Sequence, residues 1–203
     1  MLDVGGASAN LNVIEALRGV EVAIQRVDWP HGSGQFTIRP DRRGNGVLPI
    51  KLPCMACLRD AGWQTEALPD LQERVLTSGD LDALYQFVDV DGRTRYVALE
   101  CETGNISSGH RAINKLVTAL KYRAIYAGVL VLPSNALAKY LTDRIGNIGE
   151  LEPYLPMWAD YPIEEGLLRL YVMEQDAIDP AAPLIPKRLD GMSFKRRGRQ
   201  SSR

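Results

Sequence analysis

The chain has 203 residues, of which 45% are hydrophobic, and its 24 basic and 25 acidic residues give a net charge of −1. This length and composition predict one domain with a full hydrophobic core, and the near-neutral charge gives no indication of a polyanionic partner. The amino terminus lacks a cationic start followed by an apolar segment, and the longest apolar run, 127–132, is too short to cross a bilayer, so neither a signal peptide nor a membrane partner is expected. Three cysteines fit a reducing compartment, and we therefore expect a cytoplasmic protein.

The charge is unevenly distributed along the chain. Residues 187–203 hold seven of the 24 basic residues and one of the 25 acidic residues, so this tail is net +6 and residues 1–186 are net −7. A basic tail of this kind either contacts phosphates or solubilises a flexible terminus, and its composition leaves both interpretations open. We expect one domain over 1–186, followed by a basic, flexible C-terminal tail over 187–203.

The first part of the chain predicts two helices separated by loops. Apolar residues at helical spacing predict a first helix over 8–18, closed by Gly19. A second helix carries Cys54 and Cys57, whose CxxC spacing also occurs in zinc and redox sites; without a second CxxC, we interpret both as small buried structural residues. The remaining expectations are loops over 29–46 with a short strand at 35–38, the second helix over 50–61, an extended segment at 63–68 and a helical turn at 70–76.

The second part of the chain predicts a hairpin and then alternating helices and strands. Asp91-Gly92 lies between two β-rich runs, which is a strong hairpin signal. The further expectations are an amphipathic helix after Asn105, a strand covered on both faces at 127–132, a helix from Pro133-Ser134 to Gly146 and a last strand at 167–173. This order predicts an α/β fold in which helices cover both faces of a mixed central sheet.

Two acidic residues interrupt the apolar strand that closes the hairpin. Because side chains alternate along a strand, Glu100 and Glu102 share one face, while Leu99 and Cys101 share the other. Paired carboxylates repel each other and are costly to desolvate, and a divalent cation such as Mg²⁺ is the usual compensation. The strand therefore predicts a metal site.

A third ligand for this site depends on the hairpin register. A three-residue loop, 90–92, pairs Asp89 with Arg93 and places Asp82 opposite Glu100. A two-residue turn at Asp91-Gly92 moves the pairing by one residue and turns Asp82 to the other face. We favour the three-residue loop because it gathers the three acids without burying an unpaired charge.

The acidic strand leads directly into a helix that begins near residues 105–108. The free N–H groups and positive dipole of a helix start bind phosphate well. A cation held by three carboxylates beside such a start would suit the hydrolysis of a phosphodiester, because metal ions lower the pKa of water and screen the phosphate.

These residues resemble a known family of nucleases. The arrangement of Asp82, then Glu100-Cys101-Glu102 on the next strand, then a helix after 104–108, resembles the PD-(D/E)xK nucleases, and within them the BamHI/BglII branch of type II restriction endonucleases. The runs 44–51 and 62–66 are also similar to that branch, so the resemblance covers about residues 44–132.

The resemblance implies a restriction-endonuclease-like fold and a homodimer that cuts double-stranded DNA at a short, palindromic site. Asp82, Glu100 and the backbone carbonyl of Cys101 would hold Mg²⁺, which Mn²⁺ would replace. Glu102 stands where most of the superfamily has lysine, and would act as the base or orient the attacking water. Glu66 would be a supporting acid. Candidate DNA contacts are Asn105, Ser107, Ser108 and Lys115.

Two other hypotheses compete with a nuclease. The first is a catalytically inactive protein of the same fold that binds DNA or a partner, which the glutamate at position 102 motivates. The second is an α/β domain in which Glu100 and Glu102 protect an exposed edge strand.

Overall fold

A computed structural model describes residues 3–70, 79–142, 144–163 and 165–187. The helical turn expected over 70–76 and the basic tail therefore lie outside the described residues, apart from residue 70 and Lys187. The division into a domain over 1–186 and a tail stays a prediction.

The strands of the described residues are β1 (Asp3–Val4), β2 (Thr37–Ile38), β3 (Gln64–Ala67), β4 (Leu81–Val88), β5 (Thr94–Cys101), β6 (Ala127–Pro133), β7 (Leu167–Met173) and β8 (Ala177–Ile178). Six of them form one mixed sheet, in the order β1-β7-β6-β5-β4-β3. The β5-β6 and β6-β7 pairs are parallel, whereas the β1-β7, β3-β4 and β4-β5 pairs are antiparallel. Strands β2 and β8 form a separate parallel pair.

Helices cover both faces of the sheet, as the sequence predicts. On one face, Val20 and Leu58 from the first two helices share a buried cluster with Leu99 of β5. On the other, Leu116 of the third helix shares a cluster with Leu130 of β6. None of the helices in the described ranges is long and apolar enough to span a membrane. The helices are α1 (Leu11–Gln25), α2 (Leu48–Asp60), α3 (Ile106–Lys121), α4 (Asn135–Ala138), α5 (Ile148–Leu151) and α6 (Leu155–Ala159).

Helix α1 is longer than the sequence predicts. It begins after Asn10, whose side chain accepts hydrogen bonds from the backbone N–H groups of residues 12 and 13, and it continues through Gly19. The predicted end at Gly19 is wrong because Val20 and Ala23 extend the buried face of the helix. Their burial outweighs the cost of about 1 kcal/mol for a glycine inside a helix.

The helix expected from Pro133 to Gly146 is wrong in length, since α4 covers Asn135–Ala138 alone. The residues after it form backbone bridges instead: Leu141 pairs with Asn45, and Ile145 pairs with Asn105. Long-range pairing therefore replaces the later turns of the predicted helix. On α2, as interpreted from the sequence, Cys54 is a buried free thiol, while Cys57 is only half-buried and also free.

The β4-β5 hairpin has the three-residue loop that brings the acids together. The Asp89 N–H donates to the Arg93 carbonyl at 2.9 Å, and Gly92 has a φ of +77°. Ala83 pairs with Leu99, and one further step along this register sets Asp82 opposite Glu100. Because β5 lies between β4 and β6, the hypothesis of an exposed edge strand is wrong.

We expect Gly92→Val to destabilise the protein, because a β-branched residue with left-handed φ costs roughly 1–2 kcal/mol. For a domain of this size the thermal midpoint should fall by a few degrees. Val90→Thr is the matched control, since the side chain of Val90 is fully exposed in the same loop. Equal thermal midpoints for the glycine variant and the wild type would contradict this account of the turn.

Candidate active site

Strands β4 and β5 and helices α2 and α3 meet around a polar cavity of about 290 Å³. The three acids that the sequence singles out, Asp82, Glu100 and Glu102, all line it. Basic side chains from both helices line it as well. The remaining lining residues are Lys51, Asp80, Ser108, Arg111, Ala112 and Lys115.

Asp82 joins strand β5 to helix α2. Its Oδ2 accepts a hydrogen bond from the Cys101 N–H at 2.9 Å, and its Oδ1 accepts one from Lys51 Nζ at 2.7 Å. Burial lowers the pKa of Lys51, but the charge of Asp82 and its hydrogen bond outweigh burial, and the pKa lies above its ordinary value. Lys51 is therefore positively charged at neutral pH, and its side chain lines the polar cavity.

Glu100 is the most deeply buried acid of the cavity, with 6% of its surface exposed. Its Oε1 forms an ion pair with Lys115 Nζ. Burial, and then the charge of Asp82, raise the pKa of Glu100 to about 7, against the opposing effect of Lys115. Lys115 also donates to the Asp80 carbonyl at 2.9 Å, so its ammonium points inward.

Glu102 follows the last residue of β5, where the chain turns toward α3. Its Oε1 accepts a hydrogen bond from the Gly104 N–H at 2.6 Å. Burial raises the pKa of Glu102, although this hydrogen bond and the charge of Lys51 lower it. The hydrogen bond within the turn thus fixes one oxygen of the Glu102 carboxylate. Because its pKa is raised, this carboxylate binds a proton more readily than a solvated glutamate does.

The acids and cations of the cavity nearly balance, with Lys51, Arg111 and Lys115 placed around the carboxylates. Within the ranges that the structure describes, no three His, Cys, Asp or Glu residues are grouped closely enough to hold a metal ion. The ligand set drawn from the resemblance, namely Asp82, Glu100 and the Cys101 carbonyl, therefore stays a prediction.

Glu66 lies on β3, beside Asp82. Its neighbours pair with β4, Thr65 with Ala83 and Ala67 with Leu81, so Glu66 falls next to Asp82 across the ladder. It has a φ of +52°, which is rare for a residue with a side chain and occurs most often at functional sites. With Asp82 and Lys51, it lines a larger cavity of about 630 Å³.

The start of α3 presents polar groups beside the acids. Asn105 caps the helix, and its side-chain oxygen accepts from the Ser108 N–H at 3.1 Å. Ser107 is exposed, whereas Ser108 lines the polar cavity. Lys115, two turns further along, is held by Glu100 as described above.

The sequence analysis does not identify two cations that the structure places at the site. Arg111 lies three residues after Ser108 and four before Lys115, and this helical spacing is a signal that would have placed it on the same face. Lys51 reaches the acids from α2, across 31 residues of sequence. No local pattern predicts such a contact.

Comparisons with known proteins show which family this chain is similar to. The family model for restriction endonuclease BamHI matches residues 1–192. Type II restriction enzyme OkrAI of Oceanobacter kriegii is 44% identical over 179 residues, which cover 88% of this chain and 89% of that protein. Type II restriction enzyme BamHI of Bacillus amyloliquefaciens is 37% identical over 183 residues, with coverages of 88% and 83%.

A solved structure shows that the fold is shared. Restriction endonuclease BglII, complexed with a DNA 16-mer, aligns with a TM-score of 0.59 and 12% identity over 86% of this chain and 77% of that one. The mixed sheet flanked by helices is therefore the fold of a restriction endonuclease. Since the family model and both curated relatives cover most of the chain, this protein belongs to the BamHI family of type II restriction endonucleases.

Proposed function

We propose that this protein is a Mg²⁺-dependent homodimeric endonuclease that hydrolyses double-stranded DNA at a short palindromic sequence. The observation that carries the proposal is the convergence of Asp82, Glu100 and Glu102 on one polar cavity at the end of the central strands. The cavity lies beside the start of α3, whose free N–H groups suit a phosphate. All three cysteines are free thiols, which fits a cytoplasmic enzyme.

Carboxylate and carbonyl oxygens at the cavity are the type of ligand that a hard divalent cation prefers. Glu100 Oε1 is buried and has an ammonium as its neighbour, and the charge of Asp82 adds to the cost of ionising Glu100. An additional cation would relieve both effects. Asp82, Glu100 and the Cys101 carbonyl would hold Mg²⁺, or Mn²⁺ in its place, and the bound ion would supply a more acidic water and a screen for phosphate charge.

Glu102 is proposed as the group that accepts the proton of the attacking water. One of its oxygens is fixed by the Gly104 N–H at 2.6 Å, while the side chain still lines the cavity. Burial raises its pKa, and a proton acceptor works best when its pKa approaches the working pH. Glu66, next to Asp82, would support this acidic cluster from the larger cavity.

DNA contacts are proposed for the start of α3. Asn105, Ser107 and Ser108 place an amide and two hydroxyls at the positive end of the helix dipole. Lys115 would contribute its positive charge from the floor of the polar cavity, where Glu100 orients it.

A homodimer and a palindromic target follow from symmetry. Each chain offers one cluster of acids, whereas duplex DNA has two antiparallel strands to be cut. Two copies related by a twofold axis would present one site to each strand, and the sequence they recognise would share that axis.

The catalytically inactive alternative is separated from this proposal by one experiment. The protein is incubated with plasmid or phage DNA and Mg²⁺, and the fragment ends are mapped. Discrete fragments that vanish with EDTA support the endonuclease, whereas salt-sensitive binding without cleavage supports the inactive module.

Glu100→Gln and Asp82→Asn should each lower the cleavage rate at least about a hundredfold, because each removes a charge that is proposed to hold the metal. The measurement is single-turnover cleavage of a mapped fragment. Glu15→Gln is the matched control, since Glu15 is exposed on α1. Cleavage by either site variant at the wild-type rate would remove these residues from the mechanism.

Lys51→Met should slow cleavage at least about tenfold, because methionine keeps the apolar stem but removes the charge beside Asp82. Lys51→Arg keeps that charge in a different shape, and we expect it to be the less damaged variant. Rates are measured with saturating DNA, alongside DNA affinity in EDTA. An unchanged rate in the methionine variant would show that the Lys51 charge has no part in the reaction.

The raised pKa of Glu100, about 7 against an ordinary 4.5, makes folding stability depend on pH in the metal-free protein. The folded protein binds the proton more tightly than the unfolded chain, so this contribution is complete below pH 4.5 and is lost as the pH rises through 7. In EDTA, the thermal midpoint of the wild type should therefore fall relative to that of Glu100→Gln between pH 5 and pH 8. A difference between the two midpoints that stays constant from pH 5 to pH 8 would contradict the assignment, whatever its size.

A further inference from the structure

Among the described cations that line the catalytic cavity, Lys115 is the most deeply buried. Its side chain is 8% exposed, as is that of Glu100, with which it forms an ion pair. Its Nζ also donates to the backbone carbonyl of Asp80 at 2.9 Å. The ammonium therefore contacts one carboxylate oxygen and one carbonyl oxygen, which are the kinds of ligand that hold a hard divalent cation.

The second lysine of the cavity lies in a different environment. The side chains of Lys51 and Asp82 are 38% and 20% exposed, so water screens their ion pair and any further cation beside it. Little water remains to screen the charges between Lys115 and Glu100. A cation that approaches Glu100 is therefore repelled by the buried ammonium more strongly than one that approaches Asp82 is repelled by Lys51.

Helix α3 fixes the point from which the Lys115 side chain extends. Leu116, the next residue, is fully buried and shares a cluster with Leu130 of β6. The helix cannot shift without disturbing this cluster. The ammonium can leave Glu100 by rotation of the Lys115 side chain, which needs no movement of the backbone.

The stability of the fold does not explain a lysine at this position. A buried ion pair gains little net stability, because the desolvation of two charges offsets their attraction, and apolar residues of similar volume often do as well. Burial, and then the charge of Asp82, still raise the pKa of Glu100 to about 7 in the presence of Lys115. A role in the chemistry of the cavity is therefore the better account of the lysine.

We infer that Lys115 is a positioning residue that takes the place of a cation at Glu100 in the metal-free protein and competes there with the divalent ion. This inference rests on the proposed function, in which Glu100 is a metal ligand. The ion pair holds the carboxylate in the cavity before the ion arrives, and it lowers the affinity for that ion. Binding of the ion displaces the ammonium from Glu100.

The test measures the binding of Mg²⁺ alone by isothermal titration calorimetry, without DNA, at pH 8.5. This pH lies above the raised pKa of Glu100, so a proton competes little with the metal. Lys115→Met keeps the apolar stem but removes the ammonium, and we expect it to bind Mg²⁺ at least about tenfold more tightly than the wild type. Lys115→Arg keeps a positive charge and should bind Mg²⁺ no more tightly than the wild type.

Lys121→Met is the matched control. Lys121 is exposed on the same helix, and its Nζ lies 6.0 Å from the centre of the Tyr161 ring. The substitution removes the same charge from α3 at a residue that does not line the catalytic cavity. Its affinity for Mg²⁺ should stay near that of the wild type.

A second measurement follows the ammonium itself. Nitrogen–proton correlation spectra of the lysine ammonium groups are recorded for the wild type, and the Lys115 signal is assigned by its loss in Lys115→Arg. We expect this signal to shift or vanish as Mg²⁺ is added. An ion pair with a purely structural role would leave the signal unchanged.

Three outcomes would overturn the inference. In the first, Lys115→Met binds Mg²⁺ no more tightly than the wild type, or shows no binding. In the second, Lys121→Met gains as much affinity as Lys115→Met, so that only total charge matters. In the third, saturating Mg²⁺ leaves the Lys115 signal of the wild type unchanged. Lys115→Gln replaces the methionine variant if circular dichroism shows a loss of fold.

The proposed function is tested separately by wild-type cleavage of plasmid DNA. If the wild type yields discrete fragments with Mg²⁺ and Lys115→Met gains no affinity for Mg²⁺, the inference fails and the function stands. If the wild type neither cuts DNA nor binds Mg²⁺, the function itself fails.

Discussion

Carboxylates buried at the end of a central strand need compensation, and much of the site follows from that constraint. Removing a charge from water is costly unless partners replace the lost hydration. Here Lys51 reaches Asp82 from α2, and Lys115 reaches Glu100 from α3. The helices on the two faces of the sheet each supply a cation, so the packing of the fold and the electrostatics of the site depend on each other.

The compensation is incomplete at Glu100. Even with Lys115 in contact, burial and the charge of Asp82 raise its pKa to about 7. A fully compensated ion pair would keep this pKa low, and the site would then gain little from a further cation. The remaining cost of ionisation supports the proposed divalent ion, because a further cation would relieve it.

The sequence predicted the acidic cluster because each step depended on local geometry. Strand alternation placed Glu100 and Glu102 on one face, and the three-residue loop was favoured because it sets Asp82 opposite Glu100 without burying an unpaired charge, which is the register observed. The same local reasoning failed at Gly19, where burial of the following residues outweighed a helix-ending signal. It also missed Lys51, since a contact across 31 residues leaves no trace in local spacing.

An acidic cluster does not by itself attract a polyanion, and this protein carries most of its acidic residues in the body of the chain. The arrangement of charge answers this difficulty. Within the described residues, Asp82 and Glu100 of the catalytic cavity form ion pairs with Lys51 and Lys115, whereas the exposed Arg42, Lys139 and Arg144 of a neighbouring cavity form none. Two of the acids are thus compensated by bound cations, and such a cluster repels a polyanion less than the same acids would without partners.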